Sequence, residues 1–244
     1  MILDQNLLLS AGAAALLAAT FLFGGSFHPL SAVLRDRRSM ISFAAGMSSA
    51  YVFVHVLPEL SEARRTLAES IATRYQGMAV YLLALVGFLC FYGLEHLNAR
   101  IRDGDRERQE ERAYQIHLAG FAAYAALVSY LLVRNLEETP LTLAAYVLAM
   151  TGHFLAVDHS LREEHGAAFD RIGRFALAGM CIIGWGAGVA IAVPPFVSSL
   201  LLAFISGAVI MNSAVMELPS DKDGRFWPFV IGGLSYAVLL IPLA

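Results

Sequence analysis

Apolar residues dominate every side of eight stretches of this chain, at roughly 7–27, 40–58, 77–97, 114–133, 140–159, 174–193, 197–217 and 227–243. Strands crossing a bilayer would alternate apolar and polar positions over about 10 residues. These runs are about twice that long and do not alternate, so they predict helices long enough to cross the hydrocarbon core. Water is absent there, and a helix satisfies its backbone groups within the segment. Prolines mark several ends: Pro29 follows the first run, Pro140 opens the fifth, Pro194 and Pro195 separate the sixth from the seventh, and Pro228 starts the eighth. Proline lacks the amide donor that a helix interior needs, so it favours first turns and connections. Ser39 is placed to cap the second helix. Pro58 is placed to kink or end it.

Composition agrees. Of 244 residues, 58% are hydrophobic and 15% charged, against about 25% charged in soluble domains. Eight spans use roughly 160 residues, which leaves short loops and a single transmembrane domain over 1–244. Both cysteines, Cys90 and Cys181, fall within spans and read as small apolar residues, not as a disulfide or a cysteine metal site. No Lys or Arg precedes the first apolar run, unlike a secretory signal, so that run reads as a retained helix. Basic runs interleaved with aromatics are absent, which argues against a nucleic-acid partner.

Charge sets an expected orientation. Of the 17 Lys and Arg, 13 fall in alternate loops, around Arg35–Arg38, Arg100–Arg112, Arg162–Arg174 and Lys222–Arg225, and Arg64, Arg65, Arg74 and Arg134 fall in the others. The positive-inside rule then places both termini outside the cytoplasm. Arg supplies 16 of the 17 basic residues, a bias that suggests a GC-rich bacterial source and hence the inner membrane.

Residues 43–59 and 204–220 align with five identities: Phe43, Gly46, Val54, Leu57 and Pro58 match Phe204, Gly207, Val215, Leu218 and Pro219. The second and seventh helices cross in opposite directions, so the match suggests an inverted repeat of three helices, two central helices and three helices, with a substrate site near the midplane.

Ionisable groups in spans are costly and read as functional by default. His117 lies early in the fourth run and reads as a ligand or an interface residue. His153 lies deep in the fifth and reads as a metal or proton group, or as a core histidine bonded to a neighbouring helix. Asp158 with Arg162, His159 with Glu163, and His55 with Glu59 are i,i+4 pairs on one helix face. His153, Asp158, His159, Glu163, Glu164 and His165 crowd into 13 residues. Imidazoles and carboxylates together suit zinc, iron or manganese. Glu95, His96 and Glu217 are helix-end polar residues or ligands.

The phrase His55-Val56-Leu57-Pro58-Glu59, closing a helix of small residues that begins Phe43-Ala44-Ala45-Gly46, resembles the second helix of ZIP (Zrt/Irt-like) metal-ion transporters. Phe204 to Pro219 looks like their seventh. The resemblance implies an all-α polytopic membrane protein of eight helices in the inverted-repeat plan. Its metal residues would carry over to His117, His153, Asp158, His159 and Glu164, with His55 beside them. The family's fourth-helix phrase is matched here only by His117. The fifth-helix phrase is shifted: one register starts at His153, another at His159 with Glu164 at a ligand position. The two-metal centre is intact in neither.

The resemblance implies a carrier, not an enzyme, moving divalent metal ions toward the cytoplasm as substrates and needing no cofactor. Its partners would be the bilayer and the metal ion, with a homodimer as one assembly. Two alternatives stand beside it. One is a non-transporting membrane protein of ZIP-like fold. The other is an intramembrane zinc hydrolase using His55, His153, His159 and Asp158 with Ser129 or Ser160.

Overall fold

Pro140 opens a helix, Pro194 and Pro195 separate two others and Pro228 lies in the first turn of the last, as expected. The computed structural model describes residues 2–26, 37–70, 76–102, 107–134, 140–216 and 224–240. Helix α1 is Ile2–Phe23, followed by a 3₁₀ turn, Gly24–Ser26. Then come α2 (Arg37–Tyr51), α3 (Leu57–Ser70), α4 (Gln76–Arg102), α5 (Glu107–Arg134), α6 (Pro140–Ala168), α7 (Arg174–Ala190), α8 (Pro195–Met211) and α9 (Phe226–Leu240). Every regular element among the described residues is helical.

Six stretches are long and apolar enough to cross a membrane: Asn6–Ser26, Arg38–Ala68, Gly77–Leu97, Glu111–Arg134, Leu143–Ala190 and Pro195–Ala214. A shorter apolar helix covers Phe226–Leu239. Large apolar side chains face outward along them, among them Leu82, Leu85, Val86 and Leu89 on α4 and Ile231, Leu234 and Val238 on α9. Apolar surface of this extent is stable against lipid, not water. These helices are compatible with a multi-pass membrane protein.

Pro58 does not end its helix. The chain passes from α2 through a π-helical turn, Val52–Val56, into α3. Pro58 would press its ring on the carbonyl of Val54, four residues back. Val54 lies inside the π-turn, where the Leu57 amide reaches back five residues to Val52 O. The widened turn gives the proline ring room. Ser39 is likewise not a cap: α2 begins at Arg37, which puts Ser39 inside the first turn. The fifth run is longer than the expected 140–159. Helix α6 continues until Gly166 breaks it with φ 49° and ψ −121°, and a second π-turn, Phe169–Gly173, leads into α7. Glu217 and Pro29 lie outside the described residues.

The helices pair chiefly as α2 with α9, α4 with α8 and α5 with α7. Glycine permits the closest approaches. A Cβ at Gly46 would overlap the carbonyl of Phe229, and one at Gly232 would overlap that of Phe43. A Cβ at Gly207 would overlap the carbonyl of Ala84, and one at Gly87 that of Phe204. Small residues at such crossings let backbones touch, the usual basis of helix association in lipid.

Candidate metal centre

Four ionisable side chains from three helices meet near one end of the bundle. His117 on α5 is fully buried; its Nε2 lies 2.7 Å from Glu95 Oε1 on α4. Its Nδ1 lies 3.0 Å from His165 Nε2 and 3.5 Å from Glu164 Oε2, both on α6. His165 Nε2 and Glu164 Oε2 are 3.8 Å apart. One donor atom from each of His117, Glu164 and His165 falls within 4.8 Å of the other two, and no other such group of three occurs among the described residues.

Local structure explains the convergence. His165 is the last residue before the Gly166 break. At that break the backbone enters the positive-φ region, which glycine tolerates and other residues enter at a cost. Tyr114, one turn before His117, packs its ring on His165 at 4.9 Å between centroids. Its hydroxyl donates to Ala168 O at 3.0 Å, just beyond the break. The segment around Gly166 is thus pinned to α5. Two imidazoles and the Glu164 carboxylate at these separations form a donor set for a borderline divalent cation such as zinc, iron or manganese, with Glu95 on the far nitrogen of His117 as the partner that orients its ring.

His153 lies elsewhere. It precedes His165 by 12 residues on one helix, or about 18 Å at the α-helical rise. Its buried ring meets Tyr124 Oη at 2.7 Å through Nε2 and Ser48 Oγ at 3.3 Å through Nδ1. Ser48 Oγ continues to Ser213 Oγ at 2.8 Å. The set joins α5, α6, α2 and the π-turn Asn212–Met216 that follows α8.

Asp158, 1% exposed, is gripped by Arg162 through two bonds, Nε to Oδ2 at 2.8 Å and Nη2 to Oδ1 at 3.0 Å. Arg162 also pairs with Asp170 beyond the break and donates to Phe21 O at 3.3 Å, with its guanidinium over the Phe169 ring. A Cβ at Gly24 would overlap Asp158 Oδ2, so α1 also ends tightly against this pair. His159 faces Glu163 at 3.4 Å, and His55 faces Glu59 at 3.4 Å with Tyr51 stacked on its ring.

Of the six residues singled out from the sequence, His117 and Glu164 share a site, and His55, His153, Asp158 and His159 each sit with other partners. Glu95 and His165 complete the site. Nothing in the spacing of α4 reveals that Glu95 meets α5. His165 was visible only as part of a crowded stretch. The residues of the hydrolase alternative do not form a common cluster: His55, His153 and His159 have separate partners, and both Asp158 oxygens are held by Arg162.

Towards the opposite end of the bundle a cavity of about 70 Å³ is lined by Asn6, Tyr51, Glu59, Tyr146, Met150 and Ser206 among others. Met150 is one turn from His153 on α6, and Tyr51 is one turn from Ser48 on α2. The cavity floor therefore lies about one helical pitch, 5.4 Å, from the His153 network.

The chain matches no model of a known protein family and no curated protein sequence.

Proposed function

We propose that this protein is a ZIP-like membrane carrier that moves a divalent metal ion of the zinc, iron or manganese class toward the cytoplasm. The observation that carries the reading is the convergence of His117, Glu164 and His165 from two helices, with Glu95 of a third helix bonded to the other nitrogen of His117. Ionisable groups in a membrane bundle are retained where they serve an ion path. In this reading the metal is substrate. It would enter through the cavity beside Glu59, pass the His153 level, and reach the His117 cluster before release.

Eight passes and an inverted repeat fit the same reading. The apolar stretch Leu143–Ala190 is 48 residues long, about 72 Å if straight, far beyond a bilayer core of about 30 Å. Broken at Gly166, it counts as two passes. With Phe226–Leu239 as the last, the passes number eight. The repeat suggested by Phe43 and Gly46 against Phe204 and Gly207 recurs in the packing. Each phenylalanine carbonyl meets a partner glycine, Gly232 or Gly87. Each repeat glycine meets the carbonyl three residues before that partner, Phe229 or Ala84. One crossing is thus used twice, as the halves of an inverted-repeat transporter would use it. Charge bias puts both termini outside and the His117 cluster near the cytoplasmic face of an inner membrane.

Uptake of zinc, manganese and iron into proteoliposomes tests the reading, comparing the parent protein with His117→Ala. Uptake by the parent that is lost on substitution supports it. No uptake of any of the three by the parent overturns it and leaves a ZIP-like fold with another task.

A further inference from the structure

Three polar side chains line the cavity at the end of the bundle away from His117 with bonding capacity to spare. Tyr51 is 3% exposed and Ser206 only 1%. Both line the cavity, and neither hydroxyl has a hydrogen-bond partner among the described residues. A buried hydroxyl left in that state forfeits the bonds that water would give it. Glu59, in the first turn of α3, lines the same cavity. Its ion-pair partner is His55 at 3.4 Å, and no Arg or Lys pairs with it among the described residues.

The local fold explains why Tyr51 and Glu59 share a wall. Tyr51 ends α2, and Glu59 lies eight residues further on. In an unbroken α-helix that spacing turns the second residue about 80° away from the first. The π-turn Val52–Val56 lies between them. It is wider and rotates less per residue, which carries Glu59 back toward the face of Tyr51. Helix α3 in turn packs on α8, which supplies Ser206.

The chemistry of the walls selects a ligand. The Tyr51 and Tyr146 rings lie 6.0 Å apart at 72°, so they form a corner of aromatic surface that attracts a cation. The Glu59 carboxylate supplies a counter-charge, and the two hydroxyl oxygens accept from N–H groups. Most of the remaining lining is Leu, Val, Ile and Met, which suits a hydrocarbon body better than a hydrated ion. The cavity measures about 70 Å³. One water needs about 10–15 Å³, so the space takes roughly five heavy atoms.

We infer that this cavity binds a small aliphatic primary ammonium ion, with Glu59 as its counter-ion and the Tyr51 and Ser206 hydroxyls as acceptors for its N–H groups. The inference does not rest on metal transport.

The purified full-length protein in detergent is melted, without divalent metal, in isobutylammonium chloride. Ammonium chloride at equal ionic strength and isobutanol at equal concentration are the controls. Isobutylammonium raises the unfolding midpoint saturably, by about 3–5 °C at a roughly tenfold excess over its Kd; neither control does. Glu59→Gln abolishes the rise. Tyr51→Phe keeps the ring and removes a hydroxyl that has no protein partner, so without amine it melts no lower than the parent. Its saturation moves to at least about tenfold higher amine concentration, as expected for a lost bond to a charged group. It also carries the test should Glu59→Gln fail to fold. A cavity filled by water alone gives no rise with the parent, and a merely apolar cavity gives an equal rise with isobutanol. Either result, an undiminished rise in folded Glu59→Gln, or unchanged saturation in Tyr51→Phe overturns the proposal and leaves the metal-carrier reading to its own uptake test.

Discussion

His117 Nε2 lies 2.7 Å from Glu95 Oε1, and this contact joins α5 to α4 inside the apolar bundle. A histidine that used both ring nitrogens within its own helix would serve packing alone. Here Nε2 reaches one helix while Nδ1 reaches His165 and Glu164 on another. Replacing His117 with alanine therefore removes the centre of the cluster. We expect zinc affinity of the purified protein, measured by calorimetry, to fall by more than about 100-fold. For Glu95→Gln we expect the roughly 10- to 100-fold loss typical of changing a ligand's supporting partner. If His117→Ala binds zinc as the parent does, the cluster is not the metal site.

His153 makes the contrasting case. Its two ring nitrogens are engaged by the hydroxyls of Ser48 and Tyr124. His153→Gln can keep contacts to Ser48 and Tyr124, so zinc affinity should change less than about threefold. His153→Ala leaves a buried hydroxyl unsatisfied, at a cost of about 1–3 kcal/mol in stability. A fall in zinc affinity for His153→Gln as large as that for His117→Ala would return the metal site to the middle of the helix.

The all-helical class with long apolar stretches was legible because lipid demands long helices and leaves few alternatives. The proline at 140 and the pair at 194–195 also acted locally, as their missing amides require. Pro58 misled because its effect depends on the turn before it, and a π-turn at Val52–Val56 is not encoded by any simple periodicity. The site was half legible. His117 and Glu164 stood out as polar residues in or beside apolar runs, but their meeting depends on the Gly166 break. Glu95 looked like an ordinary helix-end carboxylate, and its role comes only from the helix packed against it. Ser48, Tyr124 and Ser213 carry no charge and gave no signal in an apolar run.

Gly166 should tolerate no side chain well. Its φ of 49° with ψ of −121° lies where an L-residue is strained, by roughly 1–3 kcal/mol. A Cβ there would meet nothing within 4 Å, so the cost is backbone conformation and not crowding. We expect Gly166→Ala to lower the melting temperature by a few degrees and to weaken zinc binding, since it moves Glu164 and His165 relative to His117. Gly12→Ala, also with open space around it but in regular helix, should leave both unchanged. Equal behaviour of the two variants would show that the break does not position the cluster.

Gly46 and Gly207 should fail for the opposite reason, crowding. A Cβ on either would overlap a carbonyl oxygen of the crossing helix, and backbone cannot rotate aside as a side-chain tip can. Overpacking of this kind costs about 1–3 kcal/mol or more. Both alanine variants should lose stability to a similar degree in a thermal scan, because the two crossings have the same design. A large loss at one and none at the other would argue against the paired crossings of an inverted repeat.

The Asp158–Arg162 pair closes the end of α1 against α6. The Arg162 side chain is 12% exposed and that of Asp158 only 2%, so removing one partner strands a charge away from water. Breaking such a pair costs about 3–5 kcal/mol, whereas replacing both partners with apolar groups is often close to neutral. Arg162→Met alone should therefore destabilise the protein strongly, by removing the guanidinium that bonds both Asp158 oxygens beside Gly24. Adding Asp158→Leu should recover less than a full apolar replacement would, because Gly24 lies too close to Asp158 Oδ2 to admit extra bulk. Asp158→Asn, which keeps the shape and removes the charge, is the better second change. The double variant Asp158→Asn, Arg162→Met should melt above Arg162→Met alone. If the two single losses simply add, the pair is not coupled and the end of α1 is held by packing.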